Sequence, residues 1–152
     1  MENGKVIAEN RKARHEFHIL SRVEAGLALA GTEVKSLRAG KATITDAYAL
    51  IDGSEAWLMN LHISPYDPAS RFNHDPLRRR KLLLHRSEIR RLKEQSEQKG
   101  LTLIPLRLYF NDDGLAKVEI AVARGKNVRD KRDTTAEREA RREMARAMKE
   151  RG

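Results

Sequence analysis

Two turn signals, Asp52-Gly53 and Asn111-Asp112-Asp113-Gly114, each lie between stretches in which apolar and polar residues alternate. An Asp-Gly pair between alternating runs marks a tight hairpin, because the turn needs φ > 0 and glycine takes it without strain. The runs Tyr48 to Leu61 and Leu103 to Val122 are therefore expected to form two antiparallel hairpins. In the second, Val118, Ile120 and Val122 share one face of the returning strand and Lys117 and Glu119 the other. Pro105 has no N–H to give to a ladder, which places it at an edge or a bulge. Phe17 and Ile19, alternating with Glu16 and His18, read as one more half-buried strand.

Two helices are expected among these strands. Thr32 has the character of an N-cap, Glu33 falls in the first turn, Val34 and Leu37 point inward, and Gly40 closes the end. A longer helix begins at Ser87, carries Ile89 and Leu92 as a narrow apolar stripe, and ends at Gly100. Short antiparallel strands with few helices predict a mainly β protein. An antiparallel barrel of oligonucleotide-binding type, with two or three short helices, fits the length, and a sandwich fits nearly as well. Seven aromatic residues support one modest core.

The chain changes character near residue 125, which divides it into an expected barrel (1–124) and a basic tail (125–152). From Lys126 to Arg151 there are ten basic and six acidic residues, so this stretch holds +4 of the chain's +9. Ala136, Ala140, Met144, Ala147 and Met148 fall on one helical face. Burying that stripe returns only a few kcal/mol, against an ordering cost of about 1–2 kcal/mol per residue. The tail is expected to be disordered when free and helical only against a partner.

A charge of +9 points to a polyanionic partner. No apolar run approaches the ~18–20 residues that span a bilayer, and the first residues do not resemble a signal peptide. Together with the absence of cysteine, these features make cytoplasmic nucleic acid the expected partner rather than a membrane. Basic residues cluster at Arg11-Lys12-Ala13-Arg14, around Lys35, Arg38 and Lys41, at Arg78-Arg79-Arg80-Lys81, and at Arg86, Arg90, Arg91 and Lys93. Each phosphate contact made by such a cluster releases counterions and favours binding at modest salt. Charge alone does not separate RNA from DNA; shape, 2′-hydroxyls and stacked bases do.

Enzymatic chemistry finds no support. His15, His18, His62, His74 and His85 have no zinc-motif spacing. No nucleophile elbow, phosphate loop or Gly-x-Gly-x-x-Gly occurs, and the glycines sit singly at turns. No catalytic residue, metal or cofactor is assigned. A structural rRNA-binding ribosomal protein and, more remotely, an RNA-processing enzyme are the competing readings.

Particular words in the chain resemble one family. Asn10-Arg11-Lys12-Ala13-Arg14-His15-Glu16-Phe17, Glu24-Ala25-Gly26-Leu27-Ala28-Leu29 and Gly31-Thr32-Glu33-Val34-Lys35-Ser36-Leu37-Arg38-Ala39-Gly40-Lys41 are similar to segments of the SsrA-binding proteins, also called small protein B. The likeness continues through Asn73-His74-Asp75-Pro76, Arg80-Lys81-Leu82-Leu83-Leu84-His85, Gly125-Lys126 and Asp130-Lys131-Arg132, in order and over nearly the whole chain.

The resemblance implies an oligonucleotide-binding-type barrel that grips the tRNA-like domain of transfer-messenger RNA (tmRNA, or SsrA RNA). The implied role is entry of tmRNA into stalled ribosomes for trans-translation, with the barrel in place of the missing anticodon arm. The elongation factor that delivers aminoacyl-tRNA is a further implied partner, through charged tmRNA. Carried over by motif, Asn10, Arg11, Lys12, Glu24, Leu83 and Lys117 line the RNA face. The tail enters the decoding centre and the vacant mRNA channel of the small subunit, where Asp130, Lys131 and Arg132 meet ribosomal RNA. Before Asp130 the family carries a histidine or an aromatic; here it is Arg129, whose guanidinium plane also stacks on bases. Near the end, Ala147-Met148-Lys149 replaces a pattern with a bulkier aliphatic before the methionine, leaving Met148 and Lys149 as the contact residues.

Overall fold

The computed structural model describes residues 5–66 and 73–126. The expected tail residues Arg129, Asp130, Lys131, Arg132, Met148 and Lys149, and the expected helix through them, lie outside the described residues. In chain order the elements are β1 (Val6–Glu9), α1 (Arg11–Glu16), β2 (Phe17–Leu27), α2 (Gly31–Arg38), β3 (Ala42–Thr43), β4 (Tyr48–Asp52), β5 (Glu55–Met59), β6 (His62–Ile63), β7 (Arg80–Leu83), α3 (Arg86–Ser96), β8 (Leu101–Phe110) and β9 (Ala116–Gly125). The protein is mainly β, with an antiparallel sheet and three short helices among the described residues.

Both expected hairpins form. β4 and β5 turn through Gly53 at φ 63°, and β8 and β9 through Gly114 at φ 79°. The β8–β9 register shifts between Pro105 and Arg107, so the residue that cannot donate does mark a bulge. Seven strands join in the order β1-β8-β9-β2-β7-β5-β4, and β3 pairs with β6 apart from them. The sheet does not close by hydrogen bonding, in contrast to the barrel expected from the sequence. It curls until β4 lies near β8 across the core, but the free edge of β8 is already taken by β1.

The concave side of the curl holds the main core, which includes Leu58, Leu82, Leu108, Val118 and Ile120, with Leu37 of α2 and Leu92 of α3 packed into it. A second, smaller core lies on the convex side at one end. There α1 presses Ala13 onto Ile104, Leu106, Ala121 and Ala123. α1 was not expected; its signal was Asn10, whose side-chain oxygen caps it by accepting from the Ala13 N–H at 3.1 Å.

α2 begins two residues earlier than Thr32 as N-cap suggests. Ala30 is the N-cap, and its N–H donates to Glu33 Oε1 at 2.8 Å. The Thr32 hydroxyl instead meets His74 Nδ1 at 2.9 Å, while His74 Nε2 lies 2.8 Å from the Ile63 carbonyl. α3 likewise opens at His85 rather than Ser87.

Glu33 is fully buried and binds two arginines. Arg78 Nη2 donates to Oε1 at 2.5 Å and Arg78 Nε to Oε2 at 2.9 Å. Arg80, itself without exposure, donates from Nε to Oε2 at 2.7 Å. Its remaining N–H groups meet the carbonyls of Leu61, Pro76 (3.1 Å) and Asp75 (3.3 Å). Burial pushes the Glu33 carboxyl upward, but hydrogen bonds from Arg78, the Ala30 amide and Arg80 outweigh it and hold the group below the usual carboxylate range.

Removing one partner of a buried pair strands the other charges, so Glu33→Gln should lower stability by about 3–5 kcal/mol near neutral pH. Because the folded-state pKa is depressed, this contribution is complete above the ordinary carboxyl value of 4.5 and fades as pH falls below it. Urea melts of both proteins from pH 7 down to pH 3 should show a constant gap that narrows only below about pH 4.5.

Candidate nucleic-acid interface

On the convex side, alternation along the strands lines up side chains in cross-strand rows. Gly26 of β2 is opposite Leu83 of β7 on one side and Lys117 of β9 on the other, and Lys117 is opposite Tyr109 of β8. The next row holds Glu24 opposite Glu119, and Glu119 opposite Arg107. Of the six residues expected on the face, Glu24, Leu83 and Lys117 thus come together on three adjacent strands.

Leu83 is 52% exposed, unusual for a strand leucine. It stands over Gly26, where an added Cβ would lie 3.2 Å from Leu83 Cβ. That glycine supplies room rather than a special φ. Beside Leu83, an open groove of about 660 Å³ runs between the sheet and the start of α3, bounded by His85, Arg86 and Lys117 among others.

Glu24 is not free to swing. The Tyr109 hydroxyl donates to its Oε2, and the Arg107 guanidinium lies 4.7 Å from the centre of the Tyr109 ring. Arg107 and Arg22 flank Glu119 at 3.5 and 4.0 Å. Burial, then the bond to Glu24, raises the Tyr109 phenol above its ordinary value. One carboxylate oxygen of Glu24 is thereby committed to the protein.

The remaining residues sit at the α1 end of the same convex side. Arg11 and Lys12 are exposed, and their contacts to Glu9 and Glu16 are loose, at 4.0 and 3.9 Å. Such pairs contribute little and leave both cations available to a polyanion. Asn10 is placed differently: it is 5% exposed, and besides capping α1 its Nδ2 donates to the Pro105 carbonyl at 3.1 Å. These two bonds anchor the start of α1, next to Arg11 and Lys12.

The sequence reading missed Gly26, Arg107 and Tyr109 as parts of this surface. Tyr109 was within reach, because counting back from the Asn111–Gly114 turn puts it opposite Lys117. The Arg78-to-Lys81 cluster also resolves unevenly: Arg78 and Arg80 are spent on Glu33, whereas Arg79 and Lys81 face outward. No cluster of three or more His, Asp or Glu suited to a metal occurs among the described residues.

A small, basic, mainly β protein whose large sheet leaves most of one face uncovered and lined with cations defines the class, a β-sheet binder of polyanions. The comparisons narrow it. The family described as SmpB protein matches residues 7–150. The SsrA-binding protein of Desulforudis audaxviator (strain MP104C) is 60% identical over 146 residues, covering 96% of this chain and 95% of that one. That of Mesorhizobium japonicum (strain LMG 29417 / CECT 9101 / MAFF 303099) is 53% identical over 150 residues, covering 99% and 94%. A solved structure described as "tmRNA-SmpB: a journey to the center of the bacterial ribosome" matches with TM-score 0.68 and 54% identity, over 82% of this chain and 85% of that one. The chain belongs to the SmpB family of SsrA-binding proteins.

The Tyr109–Glu24 bond gives a direct check. A 295 nm difference titration of the wild type against Tyr109→Phe should place the Tyr109 transition above the ordinary phenol value near 10. The substitution should cost about 0.5–1.5 kcal/mol at most, read by urea melts.

Proposed function

We propose that this chain binds the tRNA-like domain of tmRNA and brings it into stalled ribosomes for trans-translation. The observation that carries the reading is the contiguous convex row Leu83-Gly26-Lys117-Tyr109, with Glu24 beside it, in a chain of this family. Lys117, Arg11 and Lys12 supply phosphate affinity, which is indifferent to sequence. Glu24, steadied by Tyr109, accepts from an RNA amino, imino or 2′-hydroxyl donor. Leu83 packs against an unstacked base above Gly26. No step in this role breaks or makes a covalent bond, so the protein acts as a binder and not as an enzyme, and the cytoplasm is where its partners are.

The finer architecture belongs to the same proposal. The curled sheet serves as an oligonucleotide-binding-type barrel whose last gap, between β4 and β8, is filled by side chains instead of a hydrogen-bonded ladder. This body, residues 1–124, stands in for an anticodon arm, and the elongation factor that carries aminoacyl-tRNA joins through charged tmRNA. Residues 125–152 are its second working part. Arg129, Asp130, Lys131 and Arg132 contact small-subunit rRNA in the decoding centre, and Met148 and Lys149 lie further along the vacant mRNA channel. An mRNA already in that channel excludes the segment, which selects stalled ribosomes.

Two measurements test this division. Lys117→Ala should weaken binding of a tRNA-like-domain transcript and lower the slope of log affinity against log salt by about 1. Lys131→Ala with Arg132→Ala should leave that affinity nearly unchanged yet stop peptide tagging on stalled ribosomes in a reconstituted translation assay. Equal loss of both activities in the double variant contradicts the two-part scheme.

A further inference from the structure

β4, β5 and β7 continue the convex side beyond Leu83, and no helix covers them among the described residues. The rows repeat there: Leu50 opposite Trp57 opposite Lys81, then Tyr48 opposite Met59. Leu50 and Tyr48 are 44% and 40% exposed. The feature that organises this region is Arg79, whose guanidinium carbon lies 3.9 Å from the centre of the Trp57 ring. That is stacking distance, well inside the ~6 Å within which a cation is attracted to an aromatic face.

Three consecutive arginines precede Lys81, and Glu33 sorts them. It draws Arg78 and Arg80 inward, so the residue between them points the opposite way, onto the outer face. Arg79 is consequently held at both ends, by a backbone locked on either side and by an indole beneath its charged plane. The acidic neighbour Glu55 is neutralised by Lys81 at 3.0 Å. Trp57 itself is a poor choice for packing alone. Its Nε1–H is buried without a hydrogen-bond partner among the described residues, an omission that phenylalanine would avoid. What indole offers and phenylalanine offers less well is a broad, electron-rich face for a guanidinium.

We propose that the Arg79–Trp57 stack is a preorganised platform for an unpaired RNA base, with the guanidinium taking the base on its open side and its N–H edge on an adjacent phosphate. The inference rests on the RNA-binding reading above and extends it. An RNA base is the occupant because the platform is cationic and is continuous with the Leu83–Lys117 row. Two residues along a strand span about 7 Å and adjacent strands lie about 4.8 Å apart. Trp57 and Leu83 are therefore within one to two nucleotides of each other along an RNA strand. Arginine planes and aromatic rings are the groups on which splayed-out RNA bases stack.

Trp57 is the only tryptophan of the chain, so its fluorescence reports on this platform directly. The full-length protein is titrated with a transcript of the tRNA-like domain of tmRNA, following Trp57 emission and, separately, filter retention. Saturating RNA should change the emission. Arg79→Ala should weaken retention about 5- to 150-fold, the range found when one stacked base loses its partner. Arg79→Lys, which keeps the charge and lacks the plane, should recover only part of the loss. Trp57→Phe keeps a ring, removes the unpaired donor, and should leave folding intact with a milder loss of affinity. Unchanged emission at saturation, with Arg79→Ala binding like the wild type while Lys117→Ala binds weakly, overturns the platform and leaves the wider reading standing. Failure of the wild type to bind the transcript removes both. Emission that responds to the elongation factor alone and not to RNA also overturns it, since the occupant is then a protein.

Discussion

Glu33 is a carboxylate with no access to water, surrounded by two guanidinium groups from a segment some forty-five residues further on. Buried charges are tolerated only when each is paired and its remaining hydrogen-bonding capacity is met. Here Arg80 spends its other donors on the carbonyls of Leu61, Asp75 and Pro76, and Glu33 accepts the Ala30 amide as well. The result is a knot that ties the start of α2 to the approach to β7 and to the bend between β5 and β6. Removing Glu33 would leave Arg80 charged, buried and unpaired. The pair holds Arg80, the first residue of β7, on the inner side of the sheet.

That placement has consequences on the opposite side of the sheet. With Arg80 and Leu82 inward, Arg79, Lys81 and Leu83 must face out, because successive strand residues alternate. A slip of one residue would bury Lys81 and Leu83 and expose Arg80 to solvent. The convex face therefore inherits its chemistry from the core: an exposed leucine above a glycine, a lysine and a tyrosine in line with it, and an arginine laid on an indole. The α1 end of the same face depends on a second small core, where Asn10 caps the helix and Ala13 seats it.

Much of the fold was legible because local rules set it. Gly53 and Gly114 announce their turns, Val118, Ile120 and Val122 announce the buried face of β9, and Pro105 announces the bulge. The failures have physical causes too. Thr32 looks like an N-cap by residue type, but the capping role went to Ala30 because Glu33 closes the first turn and His74 claims the Thr32 hydroxyl. α1 escaped notice because six charged and small residues carry almost no hydrophobic periodicity. The sheet stays unclosed by hydrogen bonds for a topological reason, since β1 occupies the β8 edge that β4 would need.

The face divides along the same line. By itself the chain determined that its partner is a polyanion, through net charge and basic clusters, and determined the family through words such as Gly31 to Lys41. It also fixed which residues alternate on each strand. Only the tertiary structure decided which cations are available. Arg78, Arg79 and Arg80 are equivalent as letters, yet two are consumed by a buried carboxylate and one is delivered to the surface over Trp57. Asn10 and Arg11 are neighbours as letters, yet one is a buried cap and the other an exposed cation. Charge and periodicity are properties of sequence separation, whereas desolvation and pairing depend on which residues meet across the fold.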